Sequence, residues 1–522
     1  MLTGVQAGAS LRVESRSGLP PLAWLLELSG EDELLVCGSS VAVGQDAFIE
    51  GAWADAFDDW AFDVSRDVFG SGGRRTSSGW LIVPPSHTLE CVLLLRLPGR
   101  GWVASNSLPF LRAWTGAAFV LPSRRLAPIF ARIMNGIDES PISVKTTAGT
   151  LFALYHHNCL LAADELDLRP KPLPPRFPSY SAYLAHLMEA VSLVASNAGS
   201  LERRHTYPLL ASLSSGYDSP ACAVLAREAG CEDAFGFDSA RSGASEEGSR
   251  IADCLGLRMV TVKRPADLHD LGDAELELLA TGMHAEEAAF AAASALLENH
   301  TLLTGFNGGN AWDLHARPNS VLRRADNSGS SMGEFRLARD FIHMPVPFVG
   351  AQQHGDVVRI SLSEEMRPYA LGQYYDRPIP RRIVEEAGVP RGYFGQSKEA
   401  VSLLVFLEDE RLSPETQRAV RERVAGFGRL ERAVYRLQAA WFRLGVRCYE
   451  LARRWPEWAP GKLWPLYRRT SVAVLERIFV REAICEHTNP AMGVAFEYAL
   501  SKVSRRYGSE SVTFRASSSD GG

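Results

Sequence analysis

The chain has 522 residues, 46% of them hydrophobic, and a formal net charge of -6 at pH 7. This length predicts two or three domains with large cores, and the acidic balance argues against a general nucleic-acid-binding protein. No apolar run approaches the roughly 20 residues that a membrane-spanning helix needs, and no N-terminal signal pattern is visible, so we expect a cytoplasmic protein without a membrane partner.

The first 140 residues predict a β-rich or mixed N-terminal domain. Short apolar stretches such as 80–83 and 91–95 alternate with glycines, which is typical of strands and turns. The adjacent pair His156 and His157 lies among apolar residues and predicts part of a strand instead of a metal site. A proline-rich connector follows at residues 169–175.

Residues 207–230 have the pattern of a strand, a turn of small residues and a helix. The run 209–213 is short and apolar, as in a buried parallel strand, while Pro220 suits the start of a helix and Gly230 its end. The turn between them consists of Ser214, Ser215, Gly216, Tyr217, Asp218 and Ser219. Backbone amides at a helix N-terminus bind anions. A carboxylate beside a bound phosphate would repel it unless a cation lay between them, so the turn predicts a nucleotide site with Mg²⁺ at Asp218.

The central region, residues 178–410, alternates strand-like and helix-like segments, which favours an α/β fold with a doubly wound parallel sheet. We expect strands at 234–237 and 258–262, a helix at 245–255 and a long alanine-rich helix at 285–298. Ligands bind at the carboxyl ends of such strands. Asp238 marks the carboxyl end of the strand expected at 234–237.

Residues 411–507 predict a helical C-terminal region, and the polar, serine-rich residues 508–522 predict a disordered tail. Ten arginines interleave with aromatic residues at 418–454. Such a segment could bind RNA, a carrier or an acidic partner, but it also matches an amphipathic helix with a solvated cationic face and an aromatic core face, which we expect here.

Two segments carry a family resemblance. The hexapeptide 214–219 resembles the Ser-Gly-Gly-x-Asp-Ser pyrophosphate loop of the N-type ATP pyrophosphatases, specifically the synthetase domain of the asparagine synthetases and their relatives, which include β-lactam synthetases and lasso-peptide cyclases. Residues 374–400 are similar to the late segment of that domain, where a basic helix is followed by a lysine.

The resemblance implies a role for each matching residue. It implies that ATP and pyrophosphate contact residues 214–219, Gly305 and Gly308, that the backbone at Phe237 and Asp238 recognises adenine, and that Lys398 steadies the departing pyrophosphate. Asp218 and Asp313 are the implied Mg²⁺ ligands. Arg381 and Arg382 are further candidates for binding phosphate or a substrate carboxylate, because a guanidinium grips either group with two hydrogen bonds.

The chain departs from the family pattern at three places. Ser215 replaces the middle glycine of the loop, and Asn307 and Asn310 stand where the family carries carboxylates, so a purely structural glycine-rich turn is the alternative interpretation of 304–313. Leu2 stands where the glutamine-using enzymes have their nucleophilic cysteine, and no cysteine precedes Cys37. We therefore expect no glutamine hydrolysis and treat residues 1–140 as a candidate for a degenerate glutaminase-like domain.

The predicted function is that of an ATP-dependent ligase with ATP and Mg²⁺ as cofactors. It would adenylate the carboxylate of a small molecule or peptide and form an amide with ammonia, an amine or an intramolecular amino group. Two alternatives remain open: a tRNA-modifying sulfur-transfer enzyme and a catalytically inactive nucleotide-binding relative. Sulfur transfer would require a reactive cysteine pair, whereas the eight cysteines are scattered without a Cys-x-x-Cys pair and indicate reduced core residues.

Overall fold

The N-terminal part of the chain forms two β-sheets. The computed structural model describes residues 11–30, 32–162, 165–245, 248–269, 271–372, 375–396, 400–405, 409–454 and 489–508. The strands of these two sheets are β1 Arg12–Ser15, β2 Trp24–Ser29, β3 Asp32–Cys37, β4 Ala42–Val43, β5 Ala47–Trp53, β6 Val68–Thr76, β7 Gly79–Val83, β8 Val92–Leu97, β9 Gly101–Ser105, β10 Ile142–Lys145, β11 Thr150–Leu154, β12 Asn158–Ala162 and β13 Glu165–Arg169. One sheet has the order β1-β3-β2-β9-β8-β11-β10 and the other β13-β12-β7-β6-β5-β4.

The two sheets share a hydrophobic core. Leu26 and Leu35 of the first sheet and Trp80 of the second belong to it, and the rings of Trp24 and Phe48 meet across the sheets with centroids 4.9 Å apart. Alternate residues of the first sheet face a second core on its other side, which is covered by the helices α1 Leu108–Thr115 and α2 Leu126–Phe130. The β-rich character expected of this part is therefore present, and the sheets continue to Arg169, beyond the expected boundary at residue 140.

The histidine pair does not belong to a strand, which makes that expectation wrong. His156 and His157 lie in the turn between β11 and β12. His156 has a positive φ of 59°, and the amide of His157 donates to the carbonyl of Tyr155 at 2.6 Å. The tight turn overrides the apolar surroundings that suggested an extended chain.

A five-stranded parallel sheet forms the central region. Its strands are β14 Leu209–Ser212, β15 Asp233–Phe237, β16 Arg258–Val262, β17 Thr301–Thr304 and β18 Ile342–Pro345. Their order is β16-β15-β14-β17-β18, so the chain reverses direction across the sheet between β14 and β17. The mixed α/β class predicted from the alternating segments is confirmed by this parallel sheet and its helices.

The remaining helices of the described residues follow in chain order. They are α3 Tyr180–Ala198, α4 Asp218–Glu228, α5 Ser249–Leu255, α6 Asp273–Leu279, α7 Ser294–Leu297, α8 Gly308–Ala311, α9 Gly333–Arg339, α10 His354–Ser361, α11 Pro378–Glu386, α12 Pro414–Ala425, α13 Arg429–Arg454 and α14 Pro490–Ser504. The helical character expected of 411–507 holds where the structure describes that region, whereas residues 455–488 and all but the first residue of the expected disordered tail lie outside the described residues.

Four strands of the parallel sheet, β14, β15, β17 and β18, are buried on both faces, whereas the edge strand β16 is partly exposed. Leu210, Phe235 and Leu302 face one core, which α6 and α14 complete, while their neighbours Ala211, Ala234 and Leu303 face another, which α3, α4 and α11 complete. A strand covered on both sides needs apolar residues at successive positions. This explains why the short apolar runs of the sequence identified these strands.

The long alanine-rich helix expected at 285–298 is not formed. A 3-10 helix at Glu286–Ala293 leads into the short α7 instead. Ala285 has a positive φ of 54°, and the two glutamates that follow are buried. The left-handed backbone at Ala285 sets the start of the helical segment at Glu286, and the first eight residues of that segment are 3-10.

A buried ion triad joins the N-terminal sheets to the central region. Arg336 of α9 donates to Glu50 of β5 with both terminal nitrogens, at 2.7 and 2.9 Å, and through Nε to Glu90 at 2.9 Å. Desolvation lowers the pKa of Arg336, but the two carboxylates outweigh it and the net shift is upward. The guanidinium therefore stays charged and holds the two parts of the chain together.

No helix within the described ranges is both long enough and apolar enough to cross a membrane.

We expect Arg336→Met to lower the free energy of unfolding by about 3–5 kcal/mol, because two buried carboxylates lose their partner. Chemical denaturation measures the change. Arg258→Met is the matched control: Arg258 pairs with Glu232 and Asp233 at the surface, and an exposed pair contributes at most about 1 kcal/mol. Equal effects of the two substitutions would contradict a stabilising role for the buried triad.

Candidate functional site

A cavity of about 330 Å³ lies at the carboxyl ends of β14, β15 and β17. This is where the strand order reverses, the usual ligand position in open α/β sheets. Eight of the predicted site residues line it: Ser214, Gly216, Tyr217, Asp218, Ser219, Phe237, Gly305 and Gly308. Tertiary structure thus brings three separate segments of the sequence into one site.

Three predicted residues within the described ranges are not among those that line the cavity. The carbonyl of Ser215 accepts a hydrogen bond from the amide of Gly395 at 2.8 Å. Asp238 is exposed and accepts from the amide of Arg264 at 3.0 Å, which lowers its pKa. The Oδ1 atom of Asp313 accepts from the amide of His315 at 2.7 Å. Lys398 falls outside the described residues, so its role stays a prediction.

Hydroxyl groups hold the loop between β14 and α4 in shape. The Oγ atoms of Ser214 and Ser219 lie 2.7 Å apart, and Ser219 Oγ also accepts from the amide of Ser214 at 3.1 Å. Helix α4 begins at Asp218, so Pro220 is its third residue, and the preceding Tyr217 offers no side-chain cap. The first amides of an uncapped helix are available to an anion.

Tyr217 anchors this loop to the late segment 375–396. Its ring is fully buried, and its hydroxyl accepts a hydrogen bond from Arg381 of α11. The ring centroids of Tyr375 and Phe394 lie 4.8 and 6.0 Å from that of Tyr217. Gly395 has a positive φ of 64°, and a Cβ atom there would overlap the Tyr217 ring. The two segments that resemble the synthetase family therefore pack directly on each other.

The two arginines that were candidates for phosphate binding serve other contacts. Arg381 is committed to Tyr217, and its guanidinium carbon lies 4.8 Å from the centre of that ring. Arg382 bonds Glu386 at 2.7 Å and Glu365 at 3.0 Å on the outside of α11. Neither belongs to the residues that line the cavity.

Arg377 is a cation at the cavity wall that no sequence pattern indicated. Its terminal nitrogen donates to Oδ2 of Asp218, and its side chain is only 5% exposed. Burial lowers the pKa of Arg377, but the Asp218 carboxylate raises it, and the net shift is upward. The residue lies one position before α11 and has no local pattern that would distinguish it from the other arginines of 377–382.

Gly305 and Gly308 allow the loop after β17 to lie against Asp218. A Cβ atom at position 305 would come within 2.6 Å of Cβ of Asp218 and 2.9 Å of the Ser219 amide nitrogen. A Cβ atom at position 308 would overlap the Asp218 carboxylate. These glycines thus serve close packing around Asp218, which supports the interpretation of this segment as a structural turn.

The predicted magnesium ligands do not form a fitting site. Arg377 already pairs with Asp218 and interacts electrostatically with Asp313 as well. Asn307 and Asn310, which replace the expected acids, bond each other at 2.9 Å. Within the described ranges, no group of three or more His, Cys, Asp or Glu side chains is placed to hold a metal ion. Magnesium held by these side chains is therefore not part of the proposed chemistry.

Two buried glutamates line another part of the cavity wall. Glu287 accepts hydrogen bonds from the amides of Gly329 and Ser331 and from the hydroxyl of Ser331. Burial raises its pKa. Glu286 precedes it and also lines the cavity. The sequence signal for this pair is two adjacent glutamates in the otherwise apolar run 285–293, which we assigned to a long alanine-rich helix.

Aromatic rings form the apolar wall of the cavity. The centroids of Phe235 and Phe237 both lie within 6 Å of that of Phe290, at 5.9 and 5.7 Å, and Phe306 is 5.8 Å from Phe290. All four residues line the cavity. One wall therefore suits a flat apolar group, whereas the α4 end suits an anion.

Comparison with known proteins adds no family assignment. No protein-family model matches the sequence, and no curated protein matches it. The resemblance to the asparagine synthetases thus rests on the motifs at 214–219 and 374–400.

We expect Gly305→Ala to lower the free energy of unfolding by about 1–3 kcal/mol, because the added methyl group forces the β17 loop away from α4. Thermal and chemical denaturation measure the change. Gly355→Ala is the control, since Gly355 lies in α10 with open space around its Cβ position. Alanine there should stabilise the helix by up to about 1 kcal/mol. A neutral Gly305→Ala variant would contradict the tight approach.

Proposed function

We propose that the protein is an ATP-dependent, amide-forming ligase of the asparagine synthetase type, with a doubly wound ATP pyrophosphatase domain. The observation that carries this proposal is the single cavity that gathers the loop 214–219, Phe237 and the glycines of 305–308 at the strand ends. Its volume of about 330 Å³ is in the range of small-molecule sites.

The two ends of the cavity suit the two ends of a nucleotide. The first amides of α4 and the Arg377 guanidinium offer donors for phosphate oxygens. The ring cluster around Phe290 offers an apolar surface for adenine. In this orientation the α-phosphate lies between the two ends, accessible to a second substrate in the remaining space.

The proposed reaction has two steps. A carboxylate oxygen attacks the α-phosphorus of ATP, the bond to the β-phosphate bridging oxygen breaks, and an acyl-adenylate and pyrophosphate form. A nitrogen nucleophile then attacks the acyl carbon, AMP leaves and the nitrogen loses a proton, giving an amide. The donors at the α4 end would offset the charge that develops on the departing pyrophosphate.

In this proposal the nitrogen nucleophile is ammonia, an amine or an intramolecular amino group. Cys37, the first cysteine of the sequence, is buried in β3, and burial raises its pKa to about 11. A thiol in that state is a poor nucleophile. Glutamine hydrolysis at Cys37 is accordingly not part of the proposed activity.

The sulfur-transfer alternative finds little support near the cavity. Cys222 of α4 and Cys231 are both buried, and burial raises the pKa of each. Sulfur transfer needs a reactive thiolate. The inactive nucleotide-binding alternative differs from the ligase only in turnover, so an activity measurement separates them.

ATP–pyrophosphate exchange tests the proposed activity. With ATP, magnesium and labelled pyrophosphate, we expect label to enter ATP when the right member of a panel of amino acids, dicarboxylic acids and short peptides is added. Exchange that depends on tRNA would favour sulfur transfer. ATP binding without exchange under any of these conditions would favour the inactive relative.

We expect Lys398→Met to lower the exchange rate by about 100-fold or more while ATP affinity changes only a few fold, because the lysine acts on charge that develops in the transition state. Rapid-quench kinetics and equilibrium binding measure the two quantities. Arg418→Met and Arg443→Met, at exposed positions of α12 and α13, are the matched controls and should keep normal exchange. Normal exchange by Lys398→Met would remove this lysine from the proposed site.

A further inference from the structure

The position of Arg377 gives the cavity a built-in cation. The guanidinium donates to the same carboxylate, Asp218, that would otherwise face a bound phosphate. Both side chains line the cavity at the N-terminus of α4. A carboxylate in that position needs a positive group between itself and the phosphates, and the chain itself supplies one.

The surroundings hold the guanidinium in place at the cavity wall. Its central carbon lies 4.9 Å from the centre of the Tyr375 ring, and its Nε atom is buried without a hydrogen-bond partner. A Cβ atom at Gly309 would approach its second terminal nitrogen to 3.0 Å. Glycine at this position therefore leaves room around the group. A planar guanidinium held in this way can bind phosphate oxygens with two parallel hydrogen bonds.

The charge around the cavity end does not favour a divalent ion. Arg377 neutralises Asp218, and the neutral amides of Asn307 and Asn310 take the places where the resemblance implies acids. Magnesium is usually bound through one or two free carboxylates together with substrate phosphates. Here the nearest carboxylate is already engaged by a cation.

We propose that Arg377 replaces a protein-held metal ion at Asp218 and binds the polyphosphate of the nucleotide directly, so that nucleotide binding does not require a divalent cation. In this arrangement Asp218 is a positioning residue that orients the guanidinium. The inference rests on the proposed function, since it takes a nucleoside triphosphate as the ligand of the cavity.

Equilibrium binding of ATP and of inorganic pyrophosphate, measured calorimetrically in EDTA and in magnesium, tests the proposal. The wild-type protein should bind ATP in EDTA within about threefold of its affinity in magnesium. Arg377→Met should weaken binding in EDTA by about tenfold or more, because a hydrogen bond to a charged group is lost. Arg377→Lys keeps the charge without the planar fork and should lie between the two.

Controls separate binding from folding. The double variant Asp218→Asn with Arg377→Met removes both halves of the pair and leaves no unpaired buried charge. It should show the same loss of ATP affinity in EDTA as Arg377→Met. Arg382→Met, an arginine of α11 outside the cavity, should bind ATP normally. Far-ultraviolet circular dichroism and thermal unfolding establish that each variant is folded.

Two outcomes overturn the inference in different ways. If the folded wild-type protein binds ATP only with magnesium and Arg377→Met leaves that binding unchanged, a metal ion holds the nucleotide and Arg377 does not, while the proposed ligase stands. If the folded wild-type protein binds neither ATP nor pyrophosphate in EDTA or in magnesium, the proposed function fails together with the inference.

Discussion

The close approach of the β17 loop to the first turn of α4 is the constraint on which the candidate site depends. Gly305 and Gly308 leave no side chain between the loop and Asp218, so the carboxylate is held against backbone on one side. Its other side meets Arg377, and the neighbouring Tyr217 is clamped by Arg381. A substituent at either glycine would displace the carboxylate, the arginine and the anchored loop together.

Polar side chains lie between the cavity wall and the N-terminal sheets. The hydroxyl of Thr304, which lines the cavity, lies 2.8 Å from Nε2 of His343 in the adjacent strand, whose Nδ1 atom is 3.8 Å from Glu90. Glu90 belongs in turn to the buried triad with Arg336. Burial lowers the pKa of His343, which keeps the ring neutral. His343 thus lies between the cavity wall and the ion triad of the β-rich part of the chain, bonded to Thr304 on one side and near Glu90 on the other.

The cavity combines surfaces of different chemistry, and this gives a bound molecule one orientation. The first surface, at the α4 end, carries amides, hydroxyls and a guanidinium. The second is the apolar ring cluster around Phe290. Glu287 is held by three hydrogen bonds from neutral groups. An anion is favoured at the first surface and excluded from the second by the cost of desolvation. Such a division is what a nucleotide with a charged and a flat end requires.

The sequence by itself determined the strands and the chemistry of single segments. The strand-like runs 209–213, 234–237 and 258–262 predicted three of the five parallel strands, β14, β15 and β16, and the 214–219 turn was recognisable because its hydroxyls, glycine and carboxylate are contiguous. The sequence did not reveal which residues contact these groups in space. Arg377 lies 159 positions from Asp218, the buried glutamates lie in a segment expected as one long helix, and Asp238 and Asp313 accept hydrogen bonds from residues that do not line the cavity. Only the tertiary structure decided which charges meet, because burial and ion pairing depend on distances in space that local sequence patterns do not encode.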